Sequence, residues 1–283
     1  MTDRISKSEC GAIAAFYRDG MTLRRIGTTL GRSAVSCQNV LIRLNIPRRQ
    51  PTQTLRRYAV NESFFDHIDT QSKAYWLGFL TADGNVCGNM LRVGLQASDI
   101  GHIQKFKVAL QSEQPVRFCS GTIRGSKYQA VHINIGSQRL VNALAILGMR
   151  PHKSFTIKPC TQVPEHLLNH YWRGIWDGDG CIYESLSSPH RGGFWSVSLV
   201  GNQSIVDGFA SYIKRFINSK AIVAPLSSIY QIHFGGILLP QTILRILYHD
   251  AAPECWLDRK RKLSELCWQY LPRQKCHIPN LLR

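Results

Sequence analysis

Apolar residues recur at helical spacing in three short runs at the start of the chain: Ala12, Ile13, Phe16 and Tyr17, then Leu23, Ile26 and Leu30, then Val35, Val40, Leu41 and Leu44. This period predicts three short helices. Thr22 stands where it can cap the second, Gly31 where it can end it, and Ser33 where it can cap the third, with a turn of three to four residues between. Beyond residue 71 the pattern alternates between helical and strand periods. Strands are expected near 91–96, 116–120 and 128–135, with helices at 99–110 and 137–147; a second set follows, with strands near 181–186, 194–200, 221–226 and 229–234 and helices at 204–217 and 237–248. Each set is headed by a similar helical stretch, Trp76 to Gly84 and Trp172 to Gly180, displaced by 96 residues. The order is αββαββα twice, an α+β fold of two pseudo-symmetric repeats preceded by a small all-α segment.

The strand alternation separates two faces. Val131, Ile133 and Ile135, Trp195, Val197 and Leu199, and Tyr230, Ile232 and Phe234 form an apolar side for the helices to cover. His132, Asn134, Ser196, Ser198, Gln231 and His233, with Arg92, remain on the other side. That side suits a hydrated, polar partner such as a DNA groove, and an ordinary solvated face has the same pattern.

Charge favours the first reading. The chain has 283 residues, 35 Lys plus Arg against 18 Asp plus Glu, and a net +17, which draws polyanions. An acidic membrane surface competes, but the basic residues are not gathered on one amphipathic helix. Residues 1–57 carry 11 basic and three acidic side chains and end in the Pro- and Arg-rich stretch 47–51, which reads as a linker or arm. There is no apolar run long enough to span a membrane and no secretory signal, so a cytoplasmic, nucleoid-associated location is expected. Nine cysteines without a CxxC pair fit reduced thiols; a zinc site at Cys267, Cys276 and His277 lacks the usual paired spacing.

The repeated stretch carries the candidate chemistry. Gly78 and Ala82, and Gly174 and Gly178, sit four residues apart on one helix face, where small side chains let two helix backbones approach. Gly84 and Gly180 are expected to end these helices in the left-handed conformation. Asp83 and Asp179 then lie at helix C-termini, where the dipole disfavours a carboxylate by ~0.3–1 kcal/mol each. Helix pairing would bring the two together, and a divalent cation with hard oxygen ligands, Mg²⁺ above zinc, would relieve the clash.

At these residues the sequence resembles the two-motif, single-chain LAGLIDADG homing endonucleases, over roughly residues 71–270. The resemblance implies a saddle of two sheets in the major groove of double-stranded DNA, with repeats at 71–155 and 164–271. It also implies Mg²⁺-dependent in-line hydrolysis of both strands that leaves 3′ overhangs, performed by a monomer on a long asymmetric site. Asp83 and Asp179, with the main chain of Ala82 and Gly178, would hold the metal. Lys153 and Lys260 match the lysine that follows the last helix of each half and would act on the phosphate or its water network, with Gln96 and Asn202 as water-organising residues. Asp177 is not expected to be a ligand, and its counterpart Thr81 agrees.

The segment from Thr22 to Ile46 resembles the helix-turn-helix of bacterial and phage regulators. By that resemblance Ser33, Ser36, Gln38 and Asn39 would meet base edges, while Arg43, Arg48 and Arg49 would meet phosphates. A helical bundle that merely packs on the rest is the plainer alternative. A non-cleaving regulator or splicing helper on the same scaffold competes with the nuclease, but both acids are retained. An RNA-binding protein is disfavoured by the lack of a stacking-platform motif.

Overall fold

A computed structural model describes residues 5–47, 58–123, 125–185, 194–218 and 222–270. Arg48, Arg49, Cys276 and His277 lie outside the described residues. The chain divides into two compact units, residues 1–59 and 60–283.

Unit 1 holds α1 (Lys7–Arg18), α2 (Leu23–Leu30) and α3 (Ala34–Arg43). Its core is Ile13, Tyr17, Ile26, Cys37, Val40 and Leu41. The caps are where the sequence puts them. Thr22 accepts from Arg25 N, Gly31 is left-handed at φ 64°, and Ser33 accepts from Ser36 N. A Cβ on Gly27 would stand 2.5 Å from the Arg32 carbonyl oxygen, so a small residue is what lets α2 fold back on the start of α3.

Unit 2 is the repeated αββαββα arrangement. The first half runs α4 (Gln71–Asp83), β1 (Gly84–Cys87), β2 (Met90–Gln96), α5 (Ile100–Ala109), β3 (Arg117–Ile123), β4 (Ser126–Gly136) and α6 (Gln138–Ile146). The second runs α7 (Leu168–Asp179), β5 (Gly180–Ser185), β6 (Phe194–Gly201), α8 (Gln203–Lys214), β7 (Ile222–Leu226), β8 (Ile229–Gly236) and α9 (Leu238–Tyr248). Both sheets are antiparallel with one topology, β1-β2-β4-β3 and β5-β6-β8-β7. Val131, Ile133, Ile135, Val197, Leu199 and Ile232 are all fully buried on the helix-covered faces. Among the described residues, no helix is long and apolar enough to cross a membrane.

Three features differ from the sequence reading. The short strand β1 fills a place in the repeat order for which no residues were indicated, and a further helix, α10 (Asp258–Gln269), is additional. The third concerns the helix ends: Gly84 (φ −76°, ψ 142°) and Gly180 (φ −82°, ψ 161°) are extended and not left-handed. Their need for glycine is steric. A Cβ on Gly84 would come 2.6 Å from Leu80 O, and one on Gly180 2.5 Å from Trp176 Nε1, as the chain leaves each helix directly into a strand.

α4 and α7 cross at the centre with their backbones in contact. A side chain on Gly78 would strike the Tyr171 carbonyl and stand 3.1 Å from Ile175 N; one on Gly174 would strike the Tyr75 carbonyl and stand 2.6 Å from Phe79 N. Beside this crossing lies a buried polar cluster. Asp177 accepts from Tyr75 Oη at 2.8 Å, Tyr248 Oη at 2.9 Å and Leu257 N at 2.8 Å, which joins both halves. Arg173, fully buried, donates to Cys255 O at 2.7 Å and Leu247 O at 2.9 Å.

Replacing a mid-helix glycine by alanine ordinarily stabilises by up to ~1 kcal/mol. Here we expect the opposite sign. Gly174→Ala should destabilise by at least about 2 kcal/mol in chemical denaturation, because the methyl has only backbone to displace. Gly101→Ala, in α5 with nothing within 4 Å of the new methyl, should be neutral or stabilising. Equal effects at the two positions would mean that the helices are not in backbone contact.

Candidate functional site

The crossing delivers two carboxylates to one place. Asp83 ends α4 and Asp179 ends α7, both half-buried, and a Cβ on Gly178 would stand 3.3 Å from Asp83 Oδ2. Burial, and then the charge of Asp179, pushes the Asp83 carboxyl up to about 6. Burial also raises Asp179, while Lys153 and Lys260 pull it down. Two acids at two helix C-termini thus lie in a region already negative from the helix carbonyls.

Both lysines answer this negative charge, though in a way the sequence did not indicate. Lys153, in a 3-10 turn at Lys153–Phe155, donates to Thr81 O at 2.5 Å and Ala82 O at 3.0 Å. Lys260, in the first turn of α10, donates to Trp176 O at 2.6 Å, Asp177 O at 2.7 Å and Gly180 O at 2.6 Å, with Gly178 O at 3.5 Å. Each ammonium therefore caps the helix that carries the aspartate of its own half. Both are buried, at 8% and 2% exposure. Burial lowers Lys153, and brings Lys260 down to about 8 despite the opposing charge of Asp177. With three N–H groups shared among carbonyls, Lys260 has no proton left to offer a phosphate in this conformation. The carbonyls of Ala82 and Gly178 each already face one of these lysines, and each keeps a second lone pair.

Each lysine segment is braced by the other half. Asn202 caps α8 through Ile205 N, and its amide nitrogen donates to Ile157 O at 2.8 Å and Ser154 O at 3.4 Å, which holds the turn that bears Lys153. Its amide nitrogen is taken up by this bracing, while Oδ1 keeps a second lone pair beyond the bond from Ile205 N. Gln96 is exposed at the end of β2, on the sheet's open face. The start of α10 is held by Lys105, which donates to Asp258 Oδ1 at 2.7 Å and Trp256 O at 3.0 Å, and by the Arg259–Asp99 ion pair at 3.0 Å. A cavity of about 200 Å³ opens beside Asp179, walled by Ala82, Lys153, Gly201 and Asn202. A larger cleft, of about 560 Å³ between α7, α8 and α9, contains neither aspartate.

The open faces of the two sheets are unequal. In the first, Asn85, Arg92 and Asn134 form one row, and Gly94, His132 and Arg117 the next. Arg92 and Arg117 are exposed, while His132 Nδ1 and Asn134 Oδ1 are buried without a partner among the described residues. In the second sheet, Ser196 and Ser198 are buried, which corrects their placement as surface contacts. Ser196 faces Tyr183, and Ser198 is flanked by Cys181 and His233; His233 Nε2 is 3.2 Å from Ser196 Oγ. Gln231 is half-buried, and His233 and Tyr183 are exposed on this face. Arg117 and Tyr183 were not among the expected contacts; their pairing partners, His132 and Ser196, were the available signal.

In unit 1, Ser33 and Ser36 are hydrogen-bonded to each other at 2.8 Å, Gln38 is half-buried, and Asn39 and Arg43 are exposed.

No protein-family model and no curated protein matches this sequence. The fold nevertheless has counterparts among solved structures: two αββαββα halves about a central helix pair make an α+β fold that a solved homing endonuclease shares. The homing endonuclease I-WcaI bound to its DNA recognition sequence is similar at a TM-score of 0.51 and 13% identity, over 70% of this chain and 87% of that one. The LAGLIDADG homing endonuclease I-LtrWI bound to target DNA matches at a TM-score of 0.45 and 11% identity, over 73% of this chain and 90% of that one. The fold likeness rests on the first.

If Lys260 is a buried helix cap, Lys260→Met should cost about 3–5 kcal/mol of stability, since it strips several buried carbonyls of their donor and leaves Asp177 without its cation. Thermal and denaturant unfolding would check this. An unchanged midpoint would mean that the ammonium is free to serve elsewhere.

Proposed function

We propose that this chain is a site-specific endonuclease for double-stranded DNA, acting as a monomer on a long asymmetric site. The observation that carries the proposal is the pair Asp83 and Asp179, brought together at the ends of α4 and α7 between two open-faced sheets. A basic chain of net +17 suits the partner. The expected location follows the partner, with the DNA of a cytoplasm.

The site fits a hard divalent cation, Mg²⁺. Burial and mutual repulsion hold Asp83 above the usual carboxylate range, and this repulsion is what a bound cation relieves. Among the described residues no cluster of three or more His, Cys, Asp or Glu side chains exists, so the donors would be the two carboxylates, the carbonyls of Ala82 and Gly178, water and phosphate. When bound, Mg²⁺ supplies Lewis-acid charge at the scissile phosphates. The chain's own residues do the rest. Lys153 and Lys260 neutralise the helix ends and fix the directions of the two aspartates, while Asn202, Lys105 and Asp99 hold the lysine segments. Arg92, Arg117, Asn134, His132, Gln231 and His233 line the sheet faces that would meet the groove, with most of the charge on the first. Two cuts, one per aspartate, would leave the 3′ overhangs that the resemblance implies.

Asp83→Asn and Asp179→Asn should each lower double-strand cleavage at least 100-fold while leaving affinity within a few-fold, since most affinity comes from phosphate and base contacts elsewhere. A random duplex library incubated with the protein and magnesium, followed by end sequencing, supplies both target and readout. Cleavage by either variant at the wild-type rate would remove the assigned site. A wild-type chain that binds without cutting would favour a non-cleaving regulator.

We further infer that residues 1–57, with net +8 and helix-turn-helix spacing in α2 and α3, extend the contact to one side of the site. Deleting them should weaken binding and flatten the dependence of log K on log salt by about one unit per lost phosphate contact. It should also shorten the footprint on one side, with magnesium-dependent cutting kept at high protein concentration. Sedimentation of either complex should give one chain per duplex.

A further inference from the structure

The outward stripe of α3 is less polar than a base-reading surface of serines would be. Ser33 Oγ accepts from Ser36 N at 3.0 Å and lies 2.8 Å from Ser36 Oγ, so the hydroxyls at the helix start satisfy each other. Standing outward instead are Val35, 65% exposed, and Ile42, 62% exposed, with exposed Asn39 between them. These three are at i, i+4 and i+7, one stripe of the helix. The opposite stripe, Cys37, Val40 and Leu41, already fills the core of unit 1.

A lone exposed valine needs no explanation. Here two β-branched side chains bracket an amide on the free stripe, and the unit that carries them is cationic. Among the described residues of unit 1, Lys7, Arg18, Arg24, Arg25, Arg32 and Arg43 stand against Glu9 and Asp19, and Glu9 pairs with Arg32. Such a surface complements a polyanion that also presents apolar groups. The DNA major groove presents one apolar group, the thymine 5-methyl, beside an adenine edge whose N6 and N7 pair with an asparagine amide.

We propose that α3 reads A·T base pairs in the major groove, with Val35 and Ile42 packed on thymine methyl groups and Asn39 on adenine. The proposal rests on the reading of unit 1 as a DNA-binding segment. Seven residues of helix span ~10 Å, about three base steps, so the two methyls lie within about four base pairs of each other. Cytosine or guanine at these positions would place polar edges against apolar side chains and lose their water without replacement.

The test uses the full-length chain. A duplex enriched from a random library is resynthesised with deoxyuridine replacing thymidine one position at a time, which keeps base pairing and removes only the methyl, and binding is followed by fluorescence anisotropy. At one or two thymines within a four-base-pair window at one end of the footprint, affinity should fall about fourfold per methyl. Val35→Ala and Ile42→Ala should each abolish that sensitivity at one position, with helix content unchanged by circular dichroism. If Arg24→Gln with Arg25→Gln shortens the footprint, but deoxyuridine is silent in that window or the alanine variants remain sensitive to it, thymine reading is overturned and DNA binding by unit 1 stands. If the arginine variants leave affinity and footprint unchanged, unit 1 does not bind DNA and both readings fall.

Discussion

The main chains of α4 and α7 touch, with Gly78 set against the Tyr171 carbonyl and Gly174 against the Tyr75 carbonyl, and the geometry of unit 2 follows from that approach. Each glycine costs its helix roughly 1 kcal/mol of propensity, which the packing of two helices at backbone distance has to offset. What is gained is placement. Because β1 and β5 begin at the residue after each aspartate, each sheet hangs directly from a helix end, and the separation of the sheets and of the carboxylates is set by one crossing.

That placement concentrates negative charge. Two helix C-termini and two carboxylates meet, and the fold answers with two buried ammonium groups in place of left-handed caps. A third carboxylate, Asp177, is two residues from Asp179 yet plays a different part. Enclosed by Tyr75, Tyr248 and Leu257 N, it cannot reach the cavity beside Asp179, and it ties α7 to both α4 and the approach to α10. Two aspartates so close in sequence are separated in role by helical geometry, one facing the core and one ending the helix.

Much of this was legible in the residues. Small residues four apart, each pair followed by Asp-Gly, marked the crossing and the site, and the period-2 strands marked the sheets. The misses have physical causes. The extended conformation of Gly84 and Gly180 was hidden because a steric need for glycine and a need for positive φ look alike in sequence. The bracing by Asn202 and the capping by Lys260 join residues 45 to 84 positions apart, beyond any local period. Ser196 and Ser198 satisfied the alternation rule, but depth on a sheet face depends on neighbours in adjacent strands, which the strand's own pattern does not encode. α10 has no counterpart in the first half, so the internal repeat gave no sign of it.

The bracing of each lysine segment by the opposite half has a consequence for the time of synthesis. A ribosome that has released only the first half exposes a chain with Asp83 and Lys153 but without Asn202 to seat that lysine and without α7 against which α4 closes. Each half thus lacks part of the support of its own lysine until the other is present. On the reading proposed above, a nascent chain that has not yet reached Lys260 lacks a finished catalytic centre, because the cap of α7 is still to be made.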